Sequence, residues 1–182
     1  MFRIYFIIFL LLFTNQVIGQ DINLENLQAD YMTKFERFSV ETGLSNNRCF
    51  SVFQDRFGYL WIGTENGLNR FDGYEFVHYQ QNNNDSLSLS GNFISGISED
   101  IYGNLWIATH SGLNLFQRET ETFRHFVKEE SKNSLRDNHI RAILADSIFL
   151  WIETLDGTLS KLNVETNDFE HFKHEKISQP YY

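Results

Sequence analysis

Three histidines, three aspartates and one cysteine are the residues of this chain that catch the eye as possible chemistry. His78, His125 and His171 each sit in an aromatic-x-His-aromatic cluster: Phe76-Val77-His78-Tyr79, Phe123-Arg124-His125-Phe126 and Phe169-Glu170-His171-Phe172. Three imidazoles on one ion would make a metal site. Asp55, Asp100 and Asp146 recur at near-equal intervals, and two carboxylates facing across one cleft would serve glycoside hydrolysis. Cys49 is the single cysteine, which excludes an intrachain disulfide and a Cys-based zinc set. No Ser-His-Asp set stands at informative spacing, and no glycine-rich phosphate loop is present.

A further group lies in short polar segments: Asn46-Asn47-Arg48, Asn92-Phe93 and Asp137-Asn138-His139, with Arg141 just beyond. Asn47, Asn92 and Asn138 are in register and read as turn residues. Arg48, Phe93, His139 and Arg141 differ from copy to copy and are the candidate ligand-binding residues. Arginine can hold a carboxylate or sulfate, and phenylalanine can stack on a sugar ring.

The elements that must position these groups follow from an internal repeat, which outranks any motif. Trp61, Trp106 and Trp151 are spaced by 45 and 45 residues, as are Thr64, Thr109 and Thr154, and Gly67, Gly112 and Gly157. Leu44, Leu89 and Leu135 each precede Asp55, Asp100 and Asp146 by eleven. Each unit resolves into four short strands. The first covers roughly 48–53, 93–98 and 139–144. Asp-x-x-Gly turns follow at Asp55–Gly58 and Asp100–Gly103, where Asp bonds its own backbone and Gly supplies positive φ. The second strand carries Trp, Ile and Thr. Asn66-Gly67, Ser111-Gly112 and Asp156-Gly157 are two-residue hairpin signals.

Four antiparallel strands every 45 residues mark a β-propeller blade. The expected fold is all-β: a partial propeller of three four-stranded antiparallel blades, about 44–79, 89–126 and 135–172, plus a leading strand at Phe35–Phe38. Ser51, Gly96 and Ala142 place small residues on the converging inner strands. The three tryptophans should wedge between blades, each burying about 150–250 Å², worth roughly 4–6 kcal/mol. The third copy lacks the Gly of its first turn, is one residue shorter there, and has Glu153 where the others have Gly63 and Ala108; its first hairpin should be tighter.

This architecture reshapes the chemistry. The histidines fall on outermost strands that diverge, so no metal site is expected. The aspartates are turn residues on separate blades, not a catalytic pair. Cys49 matches Ile94 and Ile140 and reads as a small core hydrophobe. The reading is of a protein with no cofactor and no catalytic constellation.

Composition agrees. Among 182 residues, 24 acids against 15 bases leave a net charge of −9, which argues against a nucleic-acid partner. Residues 1–19 read as a secretory signal peptide, with Arg3 ahead of an apolar run over Ile4–Phe13. Residues 20–34 read as a linker, 35–172 as the repeats, and 173–182 as the start of another inter-blade loop of a truncated chain. An open arc leaves an apolar face and strand edges bare, so a second copy is an alternative partner.

The copies resemble the two-component regulator propeller repeat. GLSNNRCFSVFQD (43–55) with GYLWIGTENGLNRFDGYEF (58–76), and SLSGNFISGISED (88–100) with GNLWIATHSGLNLF (103–116), carry the likeness; the third copy matches more loosely. The resemblance implies the periplasmic sensor region of a hybrid two-component histidine kinase that detects glycan fragments, anchored in the inner membrane. It also implies an oligosaccharide ligand, and a partner in the remaining sensor-kinase chain. A propeller scaffold for protein–protein contacts without a small ligand is the alternative, and a propeller enzyme is a third.

Overall fold

A computed structural model describes residues 35–173. The expected signal peptide and linker, and the stretch after Lys173, lie outside the described residues. The chain falls into two units, Met1–Arg37 and Phe38–Tyr182, and all the strands described belong to the second.

Those strands form three sheets. Blade 1 is β1 (Cys49–Gln54), β2 (Leu60–Thr64), β3 (Gly67–Phe71) and β4 (Phe76–Tyr79). Blade 2 is β5 (Ile94–Glu99), β6 (Leu105–Thr109), β7 (Gly112–Gln117) and β8 (Thr122–Phe126). Blade 3 is β9 (Ile140–Asp146), β10 (Phe149–Thr154), β11 (Thr158–Asn163) and β12 (Phe169–Lys173). Each sheet is antiparallel and follows chain order. The expected leading strand is not formed: Phe35–Phe38 is coil, with no strand among the described residues lying against it to complete a ladder. Phe38 instead packs its ring on Phe71 and Phe76, at centroid distances of 4.8 and 5.3 Å.

The inner strands β1, β5 and β9 pack in succession, with β2 and β6 each touching the next inner strand. Small residues permit this approach. A Cβ on Gly63 would lie 2.6 Å from Ile94 Cγ2, and one on Gly96 3.2 Å from Ile143 Cγ1. Gly63→Ala should therefore cost about 1–3 kcal/mol by overpacking, read as a drop of several degrees in the calorimetric melt.

Trp61 is fully buried and meets Phe116 of blade 2 at 5.1 Å. Trp106 is equally buried and joins a cluster with Leu150, Ile152 and Leu162 of blade 3. Trp151 departs from the expectation. It is only half-buried and packs on Phe172 of its own blade, because no further sheet among the described residues covers it. Cys49 is likewise corrected. Ile94 and Ile140 are buried by the preceding sheet, whereas Cys49 is exposed, with no such sheet before β1 among the described residues.

The hairpin register also needs revision. Thr64 pairs directly with Gly67, and Thr109 with Gly112. The two-residue turns are thus Glu65-Asn66 and His110-Ser111, and the glycines open the next strand. Gly67 needs its φ of 110° and its missing Cβ, which would sit 2.7 Å from the Tyr79 carbonyl oxygen; its N–H donates to the Asn92 carbonyl of blade 2 at 2.7 Å. In blade 3, Glu153 pairs with Leu159, so Gly157 lies inside a longer turn. The first hairpin of that blade is the short one, with Asp146 paired to Phe149 around Ser147-Ile148.

Candidate functional site

The lead-in loop of each blade carries its candidate residue to one end of the inner strands. Leu44, Leu89 and Leu135 are buried and anchor these loops. The backbone then ties each loop to the second hairpin: Glu65, His110 and Leu155 donate N–H bonds to the carbonyls of Arg48, Phe93 and His139. Six positions, two per blade, are thereby held side by side.

Across blades, three of these positions (Phe93, His110 and His139) form a continuous row of rings with Phe50. Phe50 meets Phe93 at 4.5 Å. Phe93 stacks on His110 at 3.7 Å with planes 14° apart, and His110 meets His139 at 3.9 Å. Arg48 closes one end, with its guanidinium 5.7 Å from the Phe50 centroid and bonded to both Glu65 carboxylate oxygens at 2.9 Å. The structure thus brings together Arg48, Phe93 and His139 of the sequence candidates. Arg141 is separate from the stack and pairs with Glu153 at 3.3 Å. Phe50 and His110 were missed, yet both carry a legible signal. Phe50 aligns with Ser95 and Arg141, and His110 with Glu65 and Leu155, so both vary between copies as the chosen residues do.

Burial, followed by the neighbouring His139, holds the His110 imidazole below its ordinary pKa of 6.5. Uncharged, His110 offers Phe93 a flat apolar face, and the row presents stacking surfaces with an arginine at one end. The carboxylates here, Glu65 and Glu153, are both engaged by arginine. Flat ring faces beside a guanidinium are chemically complementary to planar or ring-shaped ligands.

The repeated polar residues are fastened elsewhere. His78 Nε2 lies 2.6 Å from the Gly43 carbonyl oxygen, and His125 Nε2 2.6 Å from that of Ser88. His171 Nε2 is 3.3 Å from the Lys132 carbonyl oxygen. Each histidine clips its outer strand to its own lead-in loop, and no group of three metal-ligating side chains converges among the described residues.

Asp55 and Asp100 are buried and do more than shape turns. Asp55 accepts N–H bonds from Phe57 and Tyr59 at 3.0 Å, from Trp61 Nε1 at 2.9 Å and from Arg118 at 2.8 Å. Asp100 accepts from Tyr102, Asn104 and Trp106 Nε1. Asp146 does not repeat this. It ends β9 exposed, because the shortened hairpin leaves no turn for its carboxylate to span.

Comparison with known proteins shows what the chain is similar to. The family model described as "Two component regulator propeller" matches residues 43–66 and 88–111. The extracellular domain assigned to the hybrid two component system BT3049 from B. thetaiotaomicron superposes with a TM-score of 0.70 at 34% identity, over 76% of this chain and 20% of that one. The extracellular domain of BT4673, from the same organism, gives 0.58 at 28% identity over 71% and 18%. Histidine kinase P4 of Formosa agariphila is 45% identical over 56 residues, 31% of this chain and 4% of that protein. The chain therefore spans a small part of each of these relatives. The RRP9 WD40 repeats, at 9% identity and a TM-score of 0.56, share the propeller fold.

Proposed function

We propose that this chain, built of two-component regulator propeller repeats, is part of the exported ligand-sensing region of a hybrid two-component sensor. Its ligand is a glycan fragment bound on the row Phe50–Phe93–His110–His139. The stack of rings across three blades, exposed at Phe50 and half-buried at Phe93, His110 and His139, and ending in Arg48, carries the reading. Sugar rings offer C–H faces that pack on such surfaces, and an arginine end favours a carboxylate- or sulfate-bearing unit. The likeness to the extracellular domain of a hybrid two-component system supports export and signalling to a kinase in the same longer chain. The signal-peptide pattern of residues 1–19 points the same way. No helix among the described residues is long and apolar enough to cross a membrane.

The test is calorimetric titration of the complete extracellular region with neutral and acidic oligosaccharides. Saturable heat is expected, and Phe93→Ala should weaken binding about tenfold or more, since centrally placed aromatic anchors carry most of an interface's energy. Heat that is indifferent to Phe93→Ala would move the ligand elsewhere. No heat from any glycan would favour the scaffold reading.

The 182-residue chain alone should associate. Leu144, Leu155, Leu159 and Phe172 are exposed on blade 3 beside the half-buried Trp151, and bare apolar sheet faces promote pairing with a second copy. Light scattering at increasing concentration should show growing mass; a monomer throughout contradicts this.

A further inference from the structure

We propose that blade 3 carries a second site, which binds an oxyanion group (sulfate, phosphate or carboxylate) between Lys128, Arg136 and His171. The argument begins from a polar clasp that blades 1 and 2 share. In blade 1 the Ser45 N–H donates to Asn69 Oδ1 at 2.8 Å, and Ser45 Oγ lies 3.0 Å from Thr64 Oγ1. In blade 2 Ser90 does the same with Asn114, at 2.9 Å, and Thr109, at 3.1 Å. Each clasp ties its lead-in loop to the second and third strands of its own blade.

Blade 3 keeps the threonine and replaces the other two members. Arg136 follows the anchoring Leu135 as Ser45 follows Leu44 and Ser90 follows Leu89. Ser160 stands opposite Ile152 where Asn69 and Asn114 stand opposite Ile62 and Ile107. The remaining partners regroup. Thr154 Oγ1 donates to Asp156 at 2.7 Å, and Ser160 Oγ lies 2.8 Å from His171 Nδ1. Arg136, at the Ser45 and Ser90 position, instead borders a hollow of about 670 Å³ whose other walls are Lys128, Asp156, Thr158 and His171.

Its charge balance is positive in a chain whose net charge is −9. Among the described residues Lys128 and Arg136 form no ion pair. The one carboxylate, Asp156, is occupied by Thr154 and by the N–H and hydroxyl of Thr158. Burial works to raise its carboxyl; the Thr154 and Thr158 bonds and the Lys128 charge hold it below its ordinary value. Burial, together with the Arg136 charge, keeps His171 below its ordinary 6.5 although backbone bonds at Lys132 and Ser134 oppose this. At neutral pH the positive charge facing the hollow therefore comes from Arg136 and Lys128. The planar guanidinium fork and the mobile ammonium suit an oxyanion.

The experiment restores the clasp of the other blades. The complete extracellular region is titrated calorimetrically with inorganic sulfate, inorganic phosphate and acetate, while the His171 imidazole is followed by NMR. Saturable binding of at least one anion with a shift of the His171 signals is expected, and the three arms identify the oxyanion. Arg136→Ser with Ser160→Asn should weaken binding about tenfold or more, as loss of a charge-assisted bidentate contact does, and leave the melting temperature unchanged or raised. Lys128→Ala, on the surface, should weaken it in the same direction. Phe93→Ala should leave it unchanged, which keeps this site distinct from the ring stack. Absence of saturable binding by all three anions, or an affinity that survives both the clasp-restoring pair and Lys128→Ala, overturns the proposal.

Discussion

Asp55→Ala will cost the fold about 3–5 kcal/mol, the usual penalty for removing one partner of a buried ion pair. The carboxylate is fully buried and accepts from Trp61, Arg118 and two backbone N–H groups. Its loss leaves Arg118, held over the Phe57 ring at 4.7 Å, with the longer 3.3 Å contact to Glu99 as its remaining ion pair among the described residues, and leaves the buried Trp61 Nε1–H without an acceptor. Asp146→Ala should stay within about 0.5 kcal/mol, as surface changes do. Urea melts followed by tryptophan fluorescence compare the two. Equal costs would remove the case for an aspartate–tryptophan lock.

The same residue sets an acid sensitivity. Burial acts to raise the Asp55 carboxyl, but bonds from Trp61 and Arg118 and the Arg118 charge outweigh it, so its pKa lies below the ordinary 3.8. A carboxylate depressed on folding contributes stability that is fully present above its unfolded pKa and is lost as pH falls through the folded value. Asp55→Asn should therefore flatten the loss of stability on acidification below about pH 4. Melts between pH 7 and pH 3 read this directly, and a slope identical to the parent's would assign the acid lability to other carboxylates.

Trp106→Ala should cost about 3–5 kcal/mol, in line with other large-to-small changes in closed cores. Its ring is buried between blades 2 and 3, against Phe126 at 5.4 Å and beside Leu150 and Ile152. Trp151→Ala removes the same side chain from a half-covered position, and should cost less than half as much because much of that ring already faces water. The ratio isolates what a neighbouring sheet contributes. Comparable losses at the two sites would contradict wedging between blades.

Much of the fold was legible because repetition multiplies weak signals. One Asp-x-x-Gly turn or one Trp-Ile pair says little, but the same pattern at a fixed 45-residue interval assigns twelve strands. The failures share a cause. Cys49 and Trp151 were read by alignment with Ile94, Ile140, Trp61 and Trp106, yet alignment carries no information on whether a sheet stands beside the residue. The binding row was half legible. Variation between copies selected Arg48, Phe93 and His139, while Phe50, two residues beyond Arg48, and His110, in the second hairpin, meet them as a row only when strands from different blades come together.

The order and pairing of the strands, the turns at Asp55 and Asp100, and the kinship of the three units follow from residue type and spacing alone, since these depend on local backbone preference and on contacts within one repeat. Which rings touch, which tryptophan is dry, and where a cation lacks a partner depend on how one sheet lies on the next. Those contacts join residues tens of positions apart, and only the packed molecule settles them.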